Sequence, residues 1–76
     1  MKPLLEAFAR ALVNDPKHVV VTQSIDDEGV LLELEVAPAD LGRVIGRRGR
    51  TAESLRIVLD AVAERHDTNC DVEILD

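Results

Sequence analysis

Between Asp40 and Arg56 the chain reads DLGRVIGRRGRTAESLR, with five arginines, three glycines and two acids. Glycine reaches backbone conformations barred to other residues, and it lets another backbone approach closely. Arginine donates from a rigid planar fork that matches phosphate oxygens. Gly46, Arg47, Arg48 and Gly49 form a GxxG stretch with both inner positions basic, flanked by Arg43 and Arg50. If a helix begins just after Gly49, its first N–H groups and its partial positive charge add to the same attraction. The chemistry open to this set is the capture of phosphate groups.

Charge along the chain is uneven in a way that sharpens this reading. From Leu41 to Arg56, five arginines stand against Glu53 alone, giving +4. The other 60 residues hold four basic groups against 14 acids, giving −10, and the formal net charge is −6. A chain this acidic does not coat nucleic acid indiscriminately; attraction for a polyanion is confined to one patch.

Other chemistries find less support. Gly42, Gly46 and Gly49 are spaced GxxxGxxG, which matches neither the dinucleotide fingerprint nor the P-loop, and no lysine–hydroxyl pair follows. His18 and His66 are far apart in sequence, and no nucleophile–base constellation accompanies them. Cys70 alternates with Asp71 and Glu73 and reads as a small core residue. One cysteine makes no internal disulfide, and no Cys/His cluster has metal spacing. Phe8 is the single aromatic, so no platform for base stacking exists. The reading is non-catalytic and calls for no cofactor or metal.

These residues need a frame, and the apolar pattern supplies one. Leu4, Leu5, Phe8, Leu12 and Val13 recur with helical spacing, ended by Asn14-Asp15-Pro16. Lys17 to Ile25 alternates as a strand, with Val19, Val21 and Ile25 on one face. A turn from Asp26 to Gly29 leads to a second strand, Val30 to Ala37, with Leu32, Leu34 and Val36 inward and Glu33 and Glu35 outward. After Pro38, a short helix over about Ala39 to Val44 precedes the GxxG loop. A long helix runs from Thr51 to about His66 with Leu55, Val58, Leu59 and Val62 as its core stripe. Cys70, Val72 and Ile74 mark a third strand. The expected fold is one α+β domain over residues 1–76, ordered α-β-β-α-α-β, a three-stranded sheet with helices covering one face. Leu41, Val44 and Ile45, with the neighbouring strand, are expected to wall an apolar groove beside the loop, fit for the unstacked bases of a single strand.

GRVIGRRGRT within an α-β-β-α-α-β chain resembles a KH domain of the second topological type. The length and the PADLGRVIGRRGRT stretch resemble the small stand-alone bacterial KH proteins of the KhpA family. The resemblance covers essentially the whole chain. It implies binding of single-stranded RNA, with about four nucleotides clamped by the GXXG loop. The residues it designates are Gly46, Arg47, Arg48 and Gly49, with Ile45 before them and Arg50 after. It implies a homodimer and, in addition, a partnership with a larger KhpB-type protein carrying its own KH domain. It also implies a role as an RNA chaperone or post-transcriptional regulator in cell elongation and envelope growth.

The long helix independently points to an interface. It is apolar over more than one stripe, and Ser54, Ile57, Val58 and Ala61 are the residues expected to meet a second copy or a homologous partner. Added buried area would suit a chain of 76 residues, whose own core is small. An interaction module with incidental RNA binding is the alternative. Glu6 and Arg10 interrupt the N-terminal apolar run, no membrane-length apolar stretch follows, and the lone cysteine fits a reducing compartment. The expected location is the cytoplasm.

Overall fold

The computed structural model describes all 76 residues, Met1–Asp76. Its elements are α1 (Lys2–Leu12), β1 (Val20–Asp26), β2 (Gly29–Glu35), α2 (Leu41–Ile45), α3 (Arg50–Arg65) and β3 (Cys70–Ile74). This is the expected α-β-β-α-α-β order. β1 and β2 form an antiparallel hairpin with Val20 opposite Glu35 and Asp26 opposite Gly29. β3 runs parallel to β2, from Val30 opposite Cys70 to Leu34 opposite Ile74. The sheet order is therefore β1-β2-β3, and the parallel step is made through α2, the GxxG turn and α3, as a parallel connection requires.

Alternation along the strands sets the two faces. Leu32 and Leu34 on central β2 are fully buried, flanked by Val21 of β1 and by Cys70 and Val72 of β3. Leu5 and Ala9 of α1, Val44 of α2, and Leu55, Leu59 and Ala63 of α3 close over them. Thr22, Ser24, Glu35, Asp71 and Glu73 stay exposed. On that open face Glu33 stands directly opposite Glu73. Asn69 clips the hairpin to the segment before β3. Its side-chain amide donates to the Glu28 carbonyl (3.2 Å), and its own carbonyl accepts from the Val30 N–H (2.8 Å).

Several expectations are corrected in detail. Lys17 and His18 belong to a 3-10 turn, Pro16–His18, and β1 begins only at Val20; Pro16 pre-sets the turn. Ile25 is 70 % exposed rather than buried, because the helical layer stops short of that end of the edge strand, where Gln23 is exposed as well. The short helix is split into a 3-10 turn, Pro38–Asp40, and α2. Phe8 is only half-buried against the core, and Leu4 is 41 % exposed; Ala9 takes the interior position. Val58 is 48 % exposed and lies outside the core stripe of α3, which is Ala52, Leu55, Leu59 and Ala63. Alanines at 52 and 63 rotate the inward face away from Val58.

Candidate nucleic-acid interface

Nothing crowds the Cβ position of Gly42, and α2 ends when Gly46 donates its N–H to the Gly42 carbonyl (2.9 Å). Gly46 itself has φ 77° and ψ 172°, a region that is essentially glycine-only. A Cβ there would also collide with the Thr51 side chain at the start of α3. Gly49 closes a 3-10 turn, Arg47–Gly49, by donating to the Gly46 carbonyl (3.1 Å). Its φ of 73° and ψ of 12° are left-handed, and nothing crowds its Cβ position. The two glycines thus serve for different reasons. Gly46→Ala is expected to cost more than about 2 kcal/mol, combining backbone strain with collision. Gly49→Ala is expected to cost only about 1 kcal/mol, and Gly49→Asn less, since asparagine tolerates that conformation. Urea unfolding of the three variants checks this; equal costs for Gly46→Ala and Gly49→Ala would contradict it.

Arg48, between the glycines, is itself left-handed at φ 57°. Arg47, Arg48 and Arg50 are all exposed. None of the three takes part in the chain's salt bridges, which involve Arg10, His18 and Arg43. No side chain caps the start of α3, where Gly49 is the N-cap. Three free guanidinium groups therefore surround a turn that leads into the positive end of a sixteen-residue helix.

Arg43 is placed differently. Its Nε lies 3.6 Å from Asp40 Oδ1, so part of its charge is balanced. Asp40 escaped notice in the sequence. It is the one buried charged residue, 2 % exposed. Its two carboxylate oxygens accept the N–H groups of Asn14 (3.1 Å) and Asp15 (3.0 Å). The residue before α2 is thereby tied to the segment after α1. An acid at the head of a short helix was the available signal, but it reads as a local cap, whereas its partners lie 25 and 26 residues away.

The apolar groove is narrower than expected. Val44 is 1 % exposed and belongs to the core, and Leu41 is half-buried against it. Ile45, 37 % exposed, is left as the main apolar surface of α2 beside the loop. Arg56 leaves the loop cluster altogether. Its Nε and Nη2 both donate to the Val72 carbonyl (3.3 Å each), closing an edge position of β3. It borders a depression of about 530 Å³ that is also lined by Asp26, Glu28, Asp60, Asp71 and Glu73, an acidic setting unsuited to a polyanion. Cys70 lies in the same depression. Burial first, then the carboxylates of Asp60 and Asp71, push its thiol up, which keeps it protonated and poorly nucleophilic. No group of three or more His, Cys, Asp or Glu side chains is arranged to hold a metal ion. No helix is long and apolar enough to cross a membrane.

The four candidate interface residues come together. Ser54, Ile57, Val58 and Ala61 are all exposed on one side of α3, with Ile57 at 61 %.

Comparison with known proteins agrees with this architecture. A family model described as KhpA/KhpB, KH domain, matches residues 2–74. The chain is 43% identical over 75 residues to RNA-binding protein KhpA of Clostridium acetobutylicum, covering 99% of this chain and 100% of the relative. It is 42% identical to that of Halalkalibacterium halodurans over 76 residues, with 100% of both covered. It is 44% identical to that of Treponema pallidum over 73 residues, covering 96% of this chain and 91% of the relative. No solved structure gives a significant match.

Proposed function

The chain belongs to the KhpA/KhpB KH-domain family, and from that premise we propose that it is a single KH domain binding single-stranded RNA through the loop from Gly46 to Gly49. The relatives bear the name of an RNA-binding protein and not of an enzyme, and the chain is not an enzyme. The observation that carries the reading is the set of three exposed, unpaired arginines, Arg47, Arg48 and Arg50, around a glycine-shaped turn at the uncapped start of α3. Phosphates sit against the loop backbone and these guanidinium groups, with Arg43 at the edge, while unstacked bases rest on Ile45 and the rim of Leu41. A duplex keeps its bases inside and gains little from that apolar surface.

Salt dependence tests it. Three phosphate contacts on a single strand give a slope of log K against log salt of about −2. The expected result is a slope near that value for a single-stranded oligonucleotide, with weaker binding of the matching duplex. An affinity flat in salt overturns the phosphate-clamp mechanism.

One loop with a single apolar contact binds weakly, and a second copy multiplies affinity through effective concentration. We therefore place a homodimer on α3 at Ser54, Ile57, Val58 and Ala61, and the same surface suits a KhpB-type protein with its own KH domain. Val58→Asp is expected to shift sedimentation from dimer to monomer without loss of the fold, because Val58 is outside the core; a wild type that sediments as a monomer overturns it. The resemblance to the family supports action as an RNA chaperone or post-transcriptional regulator in cell elongation and envelope growth, within the cytoplasm. The exposed Ile57 and Val58 favour, as a second reading, an assembly module whose RNA binding is incidental.

A further inference from the structure

The sheet has two edges, and the chain treats them differently. At the outer edge of β3, Arg56 donates to the Val72 carbonyl, and the exposed Asp71 and Glu73 add charge beside it. Such devices blunt an edge against pairing with another strand. β1 has none of them. Its seven residues, Val20–Asp26, pair with β2 in unbroken register, without bulge, proline or lysine, and Asp26 is its single charge.

Register fixes which backbone groups of β1 look outward. The Val30 N–H donates to the Asn69 carbonyl, and the Leu34 carbonyl accepts from the Leu75 N–H, so these residues of β2 point to β3. Their partners in β1 are Ile25 and Val21, with Gln23 opposite Leu32 between them. These three residues therefore aim their N–H and C=O groups away from β2. No hydrogen bond within the chain reaches those groups. Beside them, Ile25 stands 70 % exposed.

We propose that β1 pairs with β1 of a second copy, antiparallel and centred on Gln23, joining two sheets into one. The two-fold axis stands perpendicular to the sheet, so both helical layers lie on the same face. Gln23 of each copy exchanges backbone hydrogen bonds with the other's, and Val21 meets Ile25 on either side. Val21 is buried in the core beneath its own helices, so Ile25 gains the cover that its own chain withholds.

Charge sets the sense of pairing. Lys17 and His18 precede the strand, and Asp26, Asp27 and Glu28 end it. An antiparallel pair brings the basic start of each copy beside the acidic end of the other. Lys17 is exposed and has no ion pair within the chain. A parallel pair sets acid against acid, puts the helical layers on opposite faces and leaves Ile25 in water. The edge is thus complementary to itself, which favours a second copy over an unrelated extended segment. This surface shares no residue with α3 and does not depend on the RNA reading. A chain that also pairs through α3 then carries two different two-fold contacts and assembles beyond a dimer.

Disulfide trapping tests the register. The pairing sets Thr22 of one copy opposite Ser24 of the other, a non-hydrogen-bonded pair with Cα atoms ~4.5 Å apart, within reach of a disulfide. Both residues are exposed, and native Cys70 is buried and does not compete. Every chain in the test also carries Val58→Asp, which silences α3. Under oxidation, a mixture of Thr22→Cys and Ser24→Cys chains is expected to give the mixed covalent dimer about tenfold faster than Thr22→Cys chains alone cross-link. Adding Ile25→Lys, a charge of the kind that guards natural edges, is expected to abolish the trap. Ile25 is outside the core, so the fold stands. Equal rates in the mixture and in Thr22→Cys alone overturn the proposal, and so does a trap indifferent to Ile25→Lys.

Hydrogen exchange of the unsubstituted chain reads the seam directly. As concentration rises, the amides of Val21, Gln23 and Ile25 are expected to slow about tenfold. Those of Thr22 and Ser24, which point to β2, do not change. Exchange independent of concentration overturns the second copy as occupant. Slowing that appears only when another protein is added overturns it in favour of that partner.

Discussion

Replacing Arg47 and Arg48 together with aspartate is expected to lower affinity for single-stranded RNA at least a hundredfold and to leave the fold intact. Each charge-assisted bond to phosphate contributes about 1.5–3 kcal/mol. Losing two, and adding two repulsive carboxylates, removes at least about 3 kcal/mol, or more than two decades in Kd. The fold survives because both side chains are exposed and neither has an ion-pair partner to lose. Aspartate also accepts the left-handed conformation at position 48 better than most residues. Fluorescence anisotropy with a labelled oligonucleotide measures the loss, and thermal unfolding checks the fold. Affinity within threefold of the wild type would remove the loop from the RNA interface.

A large stability effect is expected at Asp40. Asp40→Ala strips both carboxylate acceptors from the Asn14 and Asp15 N–H groups and leaves Arg43 without its partner. The expected cost is about 2–3 kcal/mol, from partly buried donors left unpaired and hydrogen bonds to a charged group lost. For a chain of this size that lowers Tm by roughly 10–20 °C. Asp40→Asn keeps one acceptor oxygen and is expected to recover part of the loss. Urea unfolding measures both; a cost below about 0.5 kcal/mol for Asp40→Ala would show that the tie between α1 and α2 carries no stability.

The order of elements was legible because the strands alternate and the helices repeat, and because proline and glycine mark their ends. The loop was legible for a related reason: Gly46 and Gly49 stand where nothing else explains two glycines and two arginines. What escaped depended on tertiary pairing. Alanine carries little information about helix phase, so Val58 looked as much a core residue as Ala52 or Ala63, and only packing against the sheet shows otherwise. Ile25 alternates correctly and faces the covered side, yet the helices do not reach it. Arg56 belongs to the basic cluster by sequence, but the turn of α3 carries it to the Val72 carbonyl. Asp40 and its two backbone donors are brought together only when α1 and α2 close on each other.

The parallel pairing of β2 with β3 has a kinetic consequence. The β1–β2 hairpin closes over the two residues Asp27 and Glu28, whereas β3 meets β2 across 40 positions, Val30 with Cys70. Short closures are fast and long ones pay their entropy before any contact rewards them. The arginine loop lies inside the long closure, so it takes its final shape only when β3 docks. Hydrogen exchange in α2, the loop and the first turn of α3 is then expected to follow the opening of β3 and not that of the hairpin, making the last strand the latch that holds the loop ready.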